Sequence, residues 1–416
     1  MAMLRKRWLS VFTAVILLLS VTVWEKTMTP LASETELMPA ANSAASESDP
    51  SETAASKPEA AESTQIKLTL LGDIMCHPTQ YEAAQTSGGY DFRPSFEEIG
   101  EDTRLADLTL ANLETTLAGK EMTYSGYPSF NTPEQIADTV RKTLGVDVVS
   151  TANNHSLDRN FSGLSRMIDF LDQYGLKHTG TYQTAEDSQE ILIQEISGLR
   201  IAFLSYTYGT NGVTLPEGKA FAVNYLDREK ILRDAEKART LGADLVIASL
   251  HWGTEYATKP SVEQVNLATW IFENTEVDII AGNHVHAVQP ITFLQVKNKS
   301  TGKEKEGLVI YAQGNFISDQ KTDTANMGIM VNIFLDIRSS EKPVITHVAY
   351  YPTWVDETPG AGPKTYRVLN VTKALADYQS GQDPLLDSAD YAEMLAYVSQ
   401  IKQTIPSGNR IRFANE

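Results

Sequence analysis

Ile66-Lys67-Leu68-Thr69-Leu70-Leu71-Gly72-Asp73-Ile74-Met75-Cys76-His77 decides the reading of this chain. An apolar run of strand length stops at a glycine and an aspartate, and a histidine follows. The same grammar recurs downstream. Asn112-Leu113-Glu114 closes the run 108–112, and Asn153-Asn154-His155 follows 146–151. His251-Trp252-Gly253 follows 245–250, and Gly282-Asn283-His284-Val285-His286 follows 277–281. Short apolar runs bounded by turn residues read as buried strands. Five of the 7 histidines therefore stand at strand ends beside carboxylates, asparagines and glycines. Neutral imidazole and carboxylate are the usual ligands of first-row divalent metals. The pattern predicts a metal site, with two ions.

Further strands are expected at 190–196, 200–206, 308–312, 328–336 and 344–352. Helical patterns fall between several of them. Thr132-Pro133-Glu134 reads as an N-cap, an N1 proline and a first-turn acid opening a helix to Leu144. Others cover 163–174, 227–241, 261–273 and, near the C-terminus, 388–401. Strand–helix alternation predicts an α/β domain with largely parallel sheets. Strands from Gly328 onward come without long helices and predict a second, mixed sheet. The lysine-rich stretch 296–307 reads as a solvated hairpin or loop. No internal repeat, glycine-rich phosphate loop or cysteine-based zinc pattern is present.

A chain of 416 residues holds one large domain or two ordinary ones, and 42% apolar residues support a packed core. The net charge of −18 argues against general binding to nucleic acid or an acidic membrane surface. The lone Cys76 excludes an intramolecular disulfide. It reads as a small buried residue, with a ligand or reactive thiol as the alternative.

Arg5, Lys6 and Arg7 precede an uncharged apolar run from Trp8 to Trp24. Residues 1–32 are expected to be a cytoplasmic stub and a single membrane anchor, with the globular part extracellular. A cleaved signal peptide is the competing reading, although Pro30-Leu31-Ala32 makes a poor cleavage site. Residues 33–65, rich in Ala, Ser, Glu and Pro, are expected to be a disordered tether. The division expected beyond it is a domain over 66–355 and a C-terminal extension over 356–416.

Hydrolysing a phosphoester or related bond requires stabilising the nucleophile, the leaving group and the charged centre. Two metal ions about 3.5–4 Å apart accomplish this, given a bridging carboxylate, N/O ligands and an acid for the leaving group. Asp73, His77, Glu114, His155, His251, His284 and His286 supply such a set, with Glu114 as a candidate bridge. Ends of parallel strands share one sheet edge, where α/β folds place their sites. Singly, each motif has a plainer reading: a turn at Asn153-Asn154-His155, a polar surface pair at His284 and His286, a packing corner at His251. Their joint occurrence favours a site. His178 and His347 lack such company and are assigned to structure.

These stretches, with Gly72-Asp73-Ile74-Met75, Ala152-Asn153-Asn154-His155-Ser156-Leu157-Asp158, His251-Trp252-Gly253-Thr254-Glu255-Tyr256, Gly282 through Pro290 and Gly314-Asn315-Phe316, resemble the CapA family of poly-γ-glutamate capsule biosynthesis proteins. That family is related to calcineurin-like metallophosphoesterases. The resemblance covers roughly residues 66–336 and implies a four-layer α/β/β/α sandwich with two central mixed sheets. It implies that Asp73, His77 and His286 hold one ion and Asn154, His251 and His284 the other, with Glu114 between them. His155 would be the general acid and Asp158 its orienting carboxylate. Asn112, Asn153, Trp252, Glu255, Asn283 and Asn315 would line the substrate pocket. Three residues separate Asp73 from His77, where metallophosphoesterases usually have Asp-x-His.

The function expected is an exported, membrane-anchored component of poly-γ-glutamate synthesis, export or attachment, with a hydrolase-type site for two Mn, Fe or Zn ions. Its partners would be poly-γ-glutamate or a related anionic polymer, other membrane capsule-synthesis proteins, and the bilayer. A general extracellular metallophosphoesterase and a non-catalytic polymer-binding scaffold are the alternatives.

Overall fold

A computed structural model of the chain describes residues 64–322, 325–338, 342–358 and 364–414. All lie in the compact unit Ala60–Glu416. The expected anchor, and the expected tether up to residue 63, lie outside the described residues. Among the described residues, no helix is long and apolar enough to cross a membrane.

Two mixed sheets organise this unit. The first runs Thr365–Asn370, Val344–Thr358, Met327–Ile337, Thr64–Ile74, Leu108–Leu113, Val148–Ser150, Lys177–Thr179 from edge to edge. Asn315–Ile317 pairs with Thr64–Ile74, and Ile411–Phe413 with Val344–Thr358. Thr64–Ile74 is the switch strand, parallel to Leu108–Leu113 on one side and antiparallel to Met327–Ile337 on the other. The second sheet runs Ile291–Lys297, Glu304–Ile310, Ile279–Asn283, Leu245–His251, Leu199–Thr207, Leu192–Ile196. Its middle four strands are parallel and its two edge strands antiparallel.

The alternation of side chains across each strand builds the core. Leu68, Leu70, Leu110 and Val148 of the first sheet share one cluster with Ile201, Phe203, Ile247, Ile279 and Ile310 of the second. Opposite residues of the first sheet, Leu71, Ala111, Leu113 and Val149, pack with Ile99, Ile136, Val140, Met167 and Leu171 from helices. Opposite residues of the second, Leu204, Val246, Ala248 and Ile280, pack with Ile231, Ala235, Ala268 and Ile271 from helices. Sheet faces sheet, and each outer face carries helices.

Several expectations change. Strands from Gly328 onward do not make the second sheet; they extend the first, because Met327–Ile337 pairs with Thr64–Ile74 at Leu70 and Val331. The second sheet comes from the middle of the chain. The lysine-rich stretch does form a hairpin, as expected, with Ile291–Lys297 antiparallel to Glu304–Ile310. The helix read from Thr132 starts later, as Gln135–Lys142, because the Thr132 hydroxyl pairs with Thr115 at 2.7 Å instead of capping. Asp227 and Ser261 do cap their helices, and Ser261 forms a capping box with Gln264. Residues past 355 continue the first sheet, since Val344–Thr358 crosses that point and Val371, Met394 and Tyr397 join the inter-sheet core.

Two glycines set how closely the chain packs at the strand ends. A Cβ on Gly72 would lie 2.1 Å from the Gly314 carbonyl oxygen, and one on Gly282 would lie 2.0 Å from that of Tyr311. Gly282→Ala is expected to destabilise the protein by about 1–3 kcal/mol through this overlap. Gly88→Ala, whose Cβ meets nothing within 4 Å, is expected to be near neutral. Urea midpoints of the two variants check the difference.

Candidate metal centre

Strand ends of both sheets meet at Glu114. Asp73 sits where a register shift bends Thr64–Ile74, its N–H bonded to the Gly314 carbonyl at 3.1 Å. Glu114 follows Leu108–Leu113, its N–H bonded to Ile74 O at 2.9 Å. From the second sheet, His251 ends Leu245–His251, and His284 and His286 follow Ile279–Asn283. His284 and His286 have φ of 98° and 54°. Non-glycine residues in that region cost on the order of 1–3 kcal/mol each and persist where surrounding structure holds them.

Among the described residues, two groups of metal-ligating side chains have ligand atoms within 4.8 Å of one another: Glu114, His284 and His286, and Asp73, Glu114 and His251. Glu114 belongs to both. His251 Nε2 lies 3.5 Å and His286 Nε2 3.8 Å from Glu114 Oε1. His286 Nδ1 is 3.4 Å from Asp73 Oδ2, and the His284 N–H donates to that oxygen at 3.2 Å. Asn154 Oδ1 lies 2.8 Å from His251 Nε2.

Glu114 is 0% exposed, and neither carboxylate oxygen has a hydrogen-bond partner. Burial, and then the Asp73 charge, push its carboxyl well above the usual range. His284 Nδ1 is also without a partner. Burial first, then His286, holds the His284 imidazole down to about 3. Burial, then His284 and His286, holds His251 well below its ordinary value. His251 and His284 are thus held in the neutral form that ligates metal, beside a buried carboxyl group with free lone pairs. An uncompensated buried carboxylate costs several kcal/mol. This donor set fits divalent cations.

Beside it opens a cleft of about 530 Å³, lined by His155, Asn154, His286 and Tyr256 among others. His155 Nδ1 lies 2.7 Å from Asp158 Oδ2, and both side chains are buried. Asp158 Oδ2 also accepts the Phe130 N–H at 2.6 Å, and the Phe130 ring meets the imidazole edge-on at 4.7 Å. The dyad is therefore clamped, with Nε2 as the remaining ring nitrogen.

Several residues singled out in the sequence stand elsewhere. His77 joins neither group: its Nδ1 accepts the Asp319 N–H at 3.2 Å, and its backbone N–H donates to Gln80 at the start of the helix Pro78–Ala83. The three-residue spacing from Asp73 carries it onto the cleft wall. Asp73 is grouped with His251 and His284 with His286, while His286 also lies 3.4 Å from Asp73 and His251 lies 2.8 Å from Asn154, the pairings expected from the resemblance. Several of the expected substrate contacts make internal bonds around the site. Asn112 Nδ2 donates to Asp73 Oδ1 at 2.7 Å. Asn153 Nδ2 donates to Leu113 O while its Oδ1 accepts the His155 N–H. Asn315 Oδ1 pairs with His286 Nδ1 at 2.9 Å, and Asn283 Oδ1 accepts from Gln313. Trp252 is core, its Nε1–H donating to Tyr311 O. Asn153 and Asn315 are engaged through both amide atoms, Asn112 Oδ1 is left without a partner, and none of the five lines the cleft. Glu255 does line it.

Sequence reasoning missed Tyr208, whose ring lies 4.5 Å from that of His284, and the cleft residues Tyr127, Asn211, Asp319 and Lys321. Tyr208 had a usable signal: it follows Leu199–Thr207, a parallel strand ending on the site edge. The others sit on loops without periodicity.

The site and sheets define an α/β protein with a buried histidine–carboxylate centre at the strand ends. The chain belongs to the family of the bacterial capsule synthesis protein PGA_cap, which matches residues 67–320. It is 27% identical over 266 residues to capsule biosynthesis protein CapA of Bacillus anthracis, covering 62% of this chain and 61% of that protein. It is 29% identical over 189 residues to PGA biosynthesis protein CapA of Bacillus subtilis (strain 168), covering 44% of this chain and 45% of that protein. The match thus spans less than two thirds of either relative. Among solved structures, Haemophilus influenzae NAD nucleotidase (NadN) aligns with a TM-score of 0.43 at 11% identity, covering 84% of this chain and 58% of that one. The calcineurin-like phosphoesterase YfkN from Bacillus subtilis gives 0.42 at 15%, covering 77% and 98%. Likeness this loose transfers no activity.

Glu114→Gln is expected to raise the melting temperature of the metal-free protein, by about 1–3 kcal/mol of stability, because it removes an unsatisfied buried charge. The same change should abolish any further rise on adding Mn²⁺ or Zn²⁺. Melting with and without a chelator tests both, and a variant still stabilised by metal would move the ion away from Glu114. A second expectation concerns acid. Unfolded His284 protonates near 6.5, whereas the folded residue waits until about 3. Its contribution to metal-free stability is therefore lost as pH falls below 6.5. His284→Gln should flatten that part of the stability–pH curve.

Proposed function

We propose that this chain is an exported, membrane-anchored component of poly-γ-glutamate capsule synthesis, export or surface attachment, acting through a binuclear metal site of hydrolase type. Membership of the capsule-synthesis family supports the biological setting. The basic residues and apolar run of segment 1–32 support anchoring in the cell membrane with the domain outside. The observation that carries the chemistry is Glu114: a buried carboxylate with both oxygens unsatisfied, ringed by three histidines and Asp73.

Asp73, Glu114, His251, His284 and His286 would hold the ions, with Asn154 beside His251 and Glu114 shared. Mn, Fe or Zn suits such a set. Bound there, the ions supply Lewis acidity at a phosphoryl or carbonyl oxygen of the substrate. The chain's own residues do the rest. His155 delivers a proton to the leaving group from Nε2, while Asp158 fixes the ring through Nδ1. Asn112 and Asn315 orient Asp73 and His286. Tyr208 packs its ring 4.5 Å from that of His284. The partners are the polymer, other membrane capsule-synthesis proteins and the bilayer, with no role for nucleic acid.

Elemental analysis of the purified full chain is expected to find about two ions per molecule, and markedly fewer in the Asp73→Ala, His286→Ala double variant. No bound metal after supplementation with Mn, Fe and Zn would defeat the reading. With metal present, His155→Asn should retain the ions yet lower hydrolysis of an aryl phosphodiester or of poly-γ-glutamate by about 10²–10⁴-fold.

A further inference from the structure

A second recess, of about 360 Å³, lies on the helical side of the second sheet. Lys230, Arg233 and Lys237 line it, with Gln189, Phe221 and Asp234. All three cations come from one helix, Arg228–Thr240, at positions i, i+3 and i+7. That spacing puts them on one face, spread over about 10 Å of helix axis. Two of the cations have internal partners: Lys230 Nζ lies 3.1 Å from Asp234, which also accepts from the Tyr206 hydroxyl at 2.7 Å, and Lys237 Nζ donates to Gln189 O. Arg233 has no hydrogen bond or ion pair among the described residues, and its guanidinium is exposed.

A linear row of cations is out of character for a chain of net charge −18. A polyanion is repelled by that charge at long range, whereas screening confines each charge's reach to about 8–10 Å at physiological salt. Within that reach Arg233 is the cation that offers an unpaired charge, with Lys230 and Lys237 beside it. One loop joins the recess to the metal centre. Residues 208–226 begin with Tyr208 against His284, contribute Asn211 to the cleft, and end with Phe221 and Asn224 in the recess. Asn211 bonds Asn154, and Asn224 O accepts the Thr207 N–H at 2.9 Å.

We infer that this recess is an anchoring site for a carboxylate-rich polyanion, separate from the metal centre, and that its occupant is poly-γ-glutamate. The identity of the polymer rests on the functional reading above. Three spaced cations hold successive carboxylates, and Phe221 gives the intervening methylenes an apolar wall. The chain bound here is then presented to the cleft along the shared loop.

The test is fluorescence anisotropy of labelled poly-γ-glutamate with the full chain in detergent, at low and high salt, with polyuridylate as a second probe. The Lys230→Gln, Arg233→Gln, Lys237→Gln variant is expected to bind about ten-fold more weakly, with a shallower salt dependence. Arg233→Gln alone, which breaks no internal contact, should lose about two- to three-fold and serves if the triple variant does not fold. In the Asp73→Ala, His286→Ala background the recess substitutions should weaken binding by the same factor as in the parent. Unchanged affinity in both recess variants, or loss confined to the metal-centre variant, overturns the anchoring site and leaves the functional reading standing. Equal binding of polyuridylate through the same cations overturns the carboxylate assignment. Absence of any poly-γ-glutamate binding by the parent overturns the inference and the polymer named in the functional reading together.

Discussion

A carboxylate buried without hydrogen bonds is the constraint around which this molecule is arranged. Glu114 leaves the first sheet at the end of Leu108–Leu113 and points where water does not reach. Only cationic or metal-binding company offsets so unfavourable a position, and that company comes from the other sheet, as His251, His284 and His286. The two sheets must therefore meet in register at one edge. The shared core of Leu68, Leu110, Phe203 and Ile247 holds them face to face. Gly72 and Gly282 allow the backbone contacts at Gly314 and Tyr311 that bring the strand ends close. The positive φ angles of His284 and His286 are part of the same cost.

Around this centre the asparagines act as fixtures. Asn112 grips Asp73, Asn153 ties the turn bearing His155 to Leu113, and Asn315 holds His286. A carboxamide offers a donor and an acceptor without charge, which suits bridging a ligand to the backbone where a further charge would carry its own desolvation cost. The His155–Asp158 pair differs in kind. It borders the cleft rather than the carboxylate, and its ring is fixed from two sides, by Asp158 and by Phe130. Rigidity there comes from local bonds within the turn 153–158, at Ser156 Oγ and Asn153 Oδ1, and from the Asn153 Nδ2 bond that ties the turn to Leu113.

Much of this was legible in the residues. Runs such as 66–71 and 245–250 announce strands because alternating burial on two packed faces demands continuous apolar sequence. The polar residues that end these runs announce the site because parallel strands deliver their ends to one edge. The sheet membership of Met327–Ile337 was not legible: an antiparallel partner for Thr64–Ile74 more than 250 positions away leaves no local trace. Nor was the role of Trp252, since the same indole at a strand end serves equally as core or as cleft wall until its neighbour, Tyr311, is in place.

The sequence by itself determined which side chains are available for chemistry and at which strand ends they stand, because periodicity and turn residues act over a few positions. Tertiary structure alone decided which of them meet. His77 and His286 are both histidines at the ends of apolar runs. One turns away to take the Asp319 N–H and open a helix, while the other turns back to face Asp73 and Glu114. That difference lies in a three-residue spacing, two backbone angles and the approach of a second sheet, none of which acts within the range of the local sequence.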